Sequence, residues 1–216
     1  MSTPALVILD MAGTTIEDRG QVPAAFTSAL AANGITVTDD DITRVRGASK
    51  RQAIRSLLPA ESEAEVDRIY AEFRRSLAKI YNDDGVREVP GAGDVIRDLR
   101  ARGIKVALTT GFDRDIAALL LTALGWTRNV FDAVVCGDEV PHGRPAPDLI
   151  LVAMKLTMIE VPEKVANVGD TVLDLQSAAR AGLHWNIGVL SGAHTRAALE
   201  REPHTEIIQS IANLRF

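Results

Sequence analysis

The chain has a single cysteine, Cys136, in 216 residues. An internal disulfide is therefore excluded, and a reducing compartment is expected. There is no excess of positive charge: 24 Lys and Arg stand against 29 Asp and Glu, a formal net charge of −5. The basic footprint that nucleic-acid binders carry is missing, so no nucleic-acid partner is expected. An anionic small substrate stays open, because a phosphate site depends on local donors and a metal rather than on net charge. No apolar run approaches the roughly 20 residues of a membrane span. The start, Met1-Ser2-Thr3-Pro4, has no basic region before its short apolar run, so neither a membrane partner nor a signal peptide is expected. The expected location is cytoplasmic. Internal repeats and low-complexity segments are missing too. What is present is an ordinary globular composition, 46% hydrophobic and 25% charged, in a chain long enough for one sizeable core plus a smaller lobe.

Short apolar runs at 5–9, 104–108, 133–136, 164–168 and 186–190 read as fully buried strands. Between the later ones, helical spacing recurs at 93–102, 113–124, 147–156 and 173–181. That alternation predicts an α/β fold: a Rossmann-like parallel sheet with helices on both faces. Residues 17–88 differ. They show helical spacing at 24–33, 41–46, 50–58 and 61–81, no convincing strand, and helix ends at Asn33-Gly34 and Leu58-Pro59. The expected organisation is a hydrolase-type core of residues 1–16 and 89–216 with an inserted all-helical cap, 17–88, hinged near 17–22 and 83–90. The acidic run Asp39-Asp40-Asp41 is read as a helix N-terminal turn, which the helix dipole favours, rather than as a metal site.

In open α/β sheets, ligands sit beyond the carboxyl ends of the strands. Four polar signatures fall there: Asp10-Met11-Ala12-Gly13-Thr14-Thr15, Thr109-Thr110-Gly111, Gly143-Arg144-Pro145-Ala146-Pro147, and Gly169-Asp170-Thr171 with Asp174. Each alone is weak, since an Asp after a strand is often a helix cap and Gly-Asp occurs in many turns. Their joint order is the signal. Thr14 and Thr15 read as closing the loop after Asp10, and His142 as a solvated side chain. Cys136 reads as a buried small hydrophobe, and Trp126 and Trp185 as packing residues.

This order resembles the haloacid dehalogenase superfamily, with its nucleophilic Asp, a Thr or Ser, a basic residue and a carboxylate pair, over nearly the whole chain. Within it the chain looks closest to the phosphonoacetaldehyde hydrolase (phosphonatase) family and its phosphonatase-like relatives. Ala12 stands where most members carry a second Asp, Arg144 where most carry Lys, and Val168-Gly169-Asp170-Thr171 also fits. The resemblance implies that Asp10 attacks phosphorus to form an aspartyl-phosphoryl intermediate. It implies Mg²⁺, a hard ion suited to Asp10, the backbone carbonyl of Ala12 and Asp170, with Asp174 orienting those groups. Thr110 and the Gly111 amide would donate to phosphoryl oxygens, and Arg144 would supply fixed positive charge. The implied partner is a small phosphorylated or phosphonate metabolite; whether the enzyme is a homodimer is left open.

Ala12 cannot protonate a leaving group, as the second Asp of the wider superfamily does. Phosphonatases instead use a cap lysine that forms a Schiff base with the substrate aldehyde. The stretch Gly47-Ala48-Ser49-Lys50 places Lys50 there, at a helix start whose positive dipole end lowers the amine's pKa. There are departures from that family: Ala53 where it has His, Gln21 where it has Cys, Phe112 where it has Tyr, and Val45-Arg46 where it has a Met-like residue. Three readings therefore stand. Lys50 is a covalent amine in a C–P hydrolase; or it only touches substrate in a phosphatase of small phosphate monoesters; or the chain is a non-catalytic phosphate-binding protein. Dehalogenation is disfavoured by Asp170.

Overall fold

The N-terminal apolar run forms β1 (Leu6–Asp10), all five residues of which are buried. Four helices follow: α1 (Gln21–Ala31), α2 (Asp39–Arg44), α3 (Lys50–Leu57) and α4 (Glu63–Asp84). The remainder alternates as α5 (Ala92–Ala101), β2 (Lys105–Thr109), α6 (Arg114–Ala123), β3 (Ala133–Val135), α7 (Asp148–Thr157), β4 (Val165–Gly169), α8 (Val172–Arg180), β5 (Trp185–Val189), α9 (Arg196–Leu199) and β6 (Glu206–Ile208). The structure, a computed structural model, describes residues 3–58, 63–127 and 129–216. Met1, Ser2, Pro59 and Glu61, on which the readings of the N-terminus, of the helix end at 58–59 and of the helix start at 61 rested, lie outside the described residues.

The strands form one sheet in the order β3-β2-β1-β4-β5-β6, and every pairing is parallel. A parallel sheet needs cover on both faces, which is why its strands read as unbroken apolar runs. Along β1 the side chains alternate as the pleat requires. Val7 and Leu9 pack with Ile96 and Leu99 of α5 and Leu120 of α6. Leu6 and Ile8 pack with Leu149 and Ile150 of α7 and Ala178 of α8. The expected α/β sheet with helices on both faces is observed. Strand β6 was not expected: it has three residues, of which only Ile208 is buried, too little apolar pattern to stand out.

Helices α1 to α4 enter and leave the sheet at adjacent points. The Glu17 amide donates to the Arg87 carbonyl (2.9 Å) and the Val89 amide to the Thr15 carbonyl (2.9 Å). Within this insertion, α4 buries Val66, Ile69, Phe73, Leu77 and Tyr81, one stripe at helical spacing. Phe26 of α1 meets Phe73 with ring centroids 4.5 Å apart. The acidic run begins α2, where Thr38 and Asp41 form a capping box. Helix α4 continues to Asp84, past the expected end at Tyr81.

Replacing Phe26, which is fully buried, by Ala should cost about 3–5 kcal/mol of stability. Leu151→Ala, on an exposed face of α7, should change it by no more than about 0.5 kcal/mol. Urea unfolding of the two variants checks the contrast, and a Phe26 variant as stable as the parent would contradict the packing of α1 on α4.

Candidate active site

The polar signatures meet where the parallel strands end. Asp10 closes β1 and lies in register with Thr109 at the end of β2; Asp170 follows β4, and Asp174 sits in the first turn of α8. All three carboxylates are buried. An oxygen from each lies within 4.8 Å of the others.

The cation in contact with them is Arg144. Arg144 donates from Nη1 to Asp10 Oδ1 (2.6 Å) and from Nη2 to Thr109 Oγ1 (2.7 Å). Its Nε lies 2.9 Å from Asp174 Oδ1, near enough to pair as ions but not aligned as a hydrogen bond, so that buried oxygen has no hydrogen-bond donor. Sequence reasoning gave Arg144 to the substrate. The structure ties its guanidinium to the carboxylates, although it also lines the cavity beside them. Burial, with the Asp174 and Asp170 charges working against Arg144, holds the Asp10 carboxyl well above its ordinary range. Burial and Asp174 push Asp170 the same way. Three oxygen ligands, an orphaned carboxylate oxygen and unbalanced negative charge fit a hard divalent cation.

Several residues that hold this cluster were not singled out for the role from the sequence. Thr14 Oγ1 donates to Asp170 Oδ1 (3.2 Å) and the Ala193 amide to Asp170 Oδ2 (2.7 Å). Thr15 closes the loop as expected, donating to the Asp10 carbonyl (2.9 Å). Thr171 caps α8, its amide and hydroxyl both donating to Asp174 Oδ2 (3.0 and 2.5 Å). The Thr171-x-x-Asp174 spacing is itself a capping-box signal. No local pattern marks Ala193, which lies 23 residues from Asp170.

Above the cluster is a narrow cavity whose lining includes Asp10, Ala12, Arg46, Lys50, Thr110 and Arg144. Gly111 lines it too, and the Thr110 hydroxyl accepts from the Phe112 amide (3.1 Å). The insertion forms its roof by close backbone approach. A Cβ on Gly111 would fall 2.3 Å from the Ala48 carbonyl, and one on Gly47 (φ +89°) 2.3 Å from Thr171 Oγ1, so neither position admits a side chain. Lys50 opens α3 and is buried. Its Nζ donates to the Ala48 carbonyl (3.1 Å) and lies 5.0 Å from the centre of the Phe112 ring. Burial first, then the charge of Arg46, pushes the amine down to about 8. The direction matches the sequence reading, and burial and Arg46 lead its causes.

The remaining candidates sit apart. His142 is exposed beside Asp148 (3.2 Å). Cys136 is buried, and burial pushes its thiol up to about 12. Trp126 is a core residue, and Trp185 packs edge-on against Phe216. No helix among the described residues is long and apolar enough to cross a membrane.

Comparison with known proteins adds independent findings. A family model described as haloacid dehalogenase-like hydrolase matches residues 4–182. A phosphonoacetaldehyde hydrolase of Bacteroides fragilis is 29% identical, over 92% of this chain and 80% of its own length. That of Bacillus cytotoxicus is 31% identical, over 91% of this chain and 79% of its own. Among solved structures, a phosphonoacetaldehyde hydrolase like protein from Oleispira antarctica superposes with a TM-score of 0.86 at 25% identity, covering 98% of this chain and 90% of the other.

The raised carboxyls give a signed expectation. A group that binds its proton more tightly folded than unfolded stabilises the fold at low pH. For the metal-free protein that contribution should fade as pH climbs from the ordinary carboxylate value of about 4 into the neutral range. Added Mg²⁺ should therefore raise the thermal midpoint by several degrees near pH 8 and little near pH 5. Differential scanning at the two pH values reads this; an equal shift at both, or none, would remove the cation from the cluster.

Proposed function

Because this chain belongs to the haloacid dehalogenase-like hydrolases, we propose that it is a phosphonatase-like enzyme that cleaves phosphorus from a small metabolite. In this reading Asp10 is the nucleophile, Mg²⁺ the metal and Lys50 a covalent amine. The observation that carries it is the buried Lys50 amine, lowered to about 8, in the same cavity as Asp10, with Ala12 in place of a general acid.

Arg144 fixes one oxygen of Asp10 and so sets the plane from which the carboxylate attacks. Asp10, the Ala12 carbonyl and Asp170 would hold Mg²⁺, with Asp174 orienting them, and the ion would supply charge that offsets repulsion between carboxylate and phosphoryl group. Thr110 and the Gly111 amide donate to the phosphoryl oxygens. The Lys50 amine, neutral in part near neutral pH, adds to the substrate carbonyl; water leaves and a C=N bond forms. Asp10 then forms an O–P bond as the P–C bond breaks, and the released electron pair moves toward the imine nitrogen, leaving an enamine. No acid at residue 12 is needed, because the leaving group is a stabilised enamine rather than an alkoxide. Protonation of the enamine carbon and hydrolysis of the imine free the aldehyde and Lys50. Water attacking the aspartyl-phosphoryl group frees phosphate and restores Asp10. The helical insertion acts as the cap: its 47–50 segment brings Lys50 over the nucleophile and closes the cavity to bulk water.

Borohydride with phosphonoacetaldehyde should inactivate the enzyme irreversibly and leave an adduct on Lys50, read by peptide mass spectrometry. The neutral amine is the reactive form, so adduct formation should quicken as pH rises toward about 8 and level above it. Lys50→Arg should abolish C–P cleavage, since a guanidinium stays protonated. An active Arg variant, an unmodified Lys50 and turnover of phosphate monoesters would instead assign an ester phosphatase. In that case Ala12→Asp should add roughly 10²–10⁴-fold on esters with poor leaving groups.

A further inference from the structure

The roof of the cavity holds a second cation that the proposed chemistry leaves without a task. Arg46, in the loop between α2 and α3, lines the cavity with Asp10 and Lys50. Its side chain is 13% exposed and is paired through Nη2 with Asp18, whose side chain is 1% exposed. Asp18 is itself fixed: its Oδ1 accepts from the Gly20 and Val22 amides at the start of α1 (3.1 and 3.4 Å). The pair thus anchors the Arg46 guanidinium from one end only. No partner for its Nε or Nη1 is found among the described residues.

A structural ion pair alone does not account for this placement. Arg46 stands near enough to Lys50 to be the strongest charged influence on that amine. Asp10 and Asp18 offset part of the repulsion between the two cations, and an anion bound between them would offset more of it. The phosphoryl group is directed to Asp10 at the floor, and the N–H groups that Asp18 leaves free on the guanidinium can donate to a carboxylate. With Lys50 at the carbonyl carbon, the position beside Arg46 is that of a substituent on the same carbon.

We propose that Arg46 is a carboxylate-recognising residue, and that the preferred substrate is a small β-oxo phosphonate bearing a carboxylate on its carbonyl carbon. This rests on the phosphonatase-like reading and narrows it. The reaction balances as before. Lys50 forms the imine with loss of water; Asp10 bonds to phosphorus as the P–C bond breaks into the enamine. Protonation, imine hydrolysis and hydrolysis of the aspartyl-phosphoryl group then return Lys50 and Asp10. The net change is substrate plus water giving a 2-oxo acid and phosphate.

Binding of two inert compounds to the full chain with Mg²⁺ tests recognition apart from turnover. By calorimetry, 3-phosphonopropionate, whose carboxylate stands where the proposed substrate has its own, should bind roughly 10–100-fold more tightly than propylphosphonate, the range of a charge-assisted pair. In Arg46→Met combined with Asp18→Asn, which strands no buried charge, the ratio should fall to about one. Arg46→Lys should keep part of it. In parallel, kcat/KM for 3-phosphonopyruvate should exceed that for phosphonoacetaldehyde, and the double variant should reverse the order. Equal binding of the two compounds by the parent protein overturns the proposal without need of any variant. Turnover of phosphonoacetaldehyde with no preference for the carboxylate overturns it and leaves the phosphonatase-like reading standing. A carboxylate preference in binding with no C–P cleavage of either oxo compound supports carboxylate recognition by Arg46 and overturns the phosphonatase-like reading together with the proposed substrate.

Discussion

Three buried carboxylates, Asp10, Asp170 and Asp174, share one buried guanidinium, that of Arg144, and the carboxyl edge of the sheet is built around that imbalance. Like charges at this separation in a poorly solvated site cannot all ionise at ordinary carboxylate pKa values. The surrounding donors reduce the repulsion without removing it. Thr14 and the Ala193 amide hold Asp170, Thr171 holds Asp174, and Arg144 holds Asp10. The residual negative charge is what a hard divalent cation would match. A fold that keeps such a cluster gives up stability at neutral pH when no cation is bound, which is a reason to seek its explanation in chemistry rather than in packing.

The two halves of the chain contribute opposite charges to the cavity. The sheet edge supplies the carboxylates; the insertion supplies Lys50 and Arg46. Only Arg144 crosses that division, and it is held down among the carboxylates. A substrate between floor and roof therefore meets a nucleophile on one side and an amine and a guanidinium on the other. The close backbone contacts at Gly47 and Gly111 fix how near those sides come. Phe112 and the Ala48 carbonyl hold the Lys50 amine in place, so its aim depends on core and insertion together.

Much of this was legible in the sequence. A strand of a parallel sheet is buried on both faces, so short apolar runs announce it, and the polar residues that end each run mark the edge where ligands bind. Asp10, Thr110, Arg144, Asp170 and Asp174 could be gathered on that argument, and the helical stripe of 17–88 identified the insertion. Strand β6 escaped because three residues with one buried side chain carry no period. Thr14 was read as a loop closer because its partner lies 156 residues away.

By itself, then, the sequence determined the parallel α/β sheet, the helical insertion after its first strand and the set of polar residues at the sheet's carboxyl edge, because burial patterns and strand ends are local properties. The tertiary structure decided which of those residues touch. It gave Arg144 to Asp10 across 134 positions, and it fixed Arg46 at the cavity through Asp18, 28 positions away. It also lowered the Lys50 amine by burial and by the charge of Arg46. Charge pairing and desolvation depend on distances through space, and those are set only when the insertion packs onto the sheet.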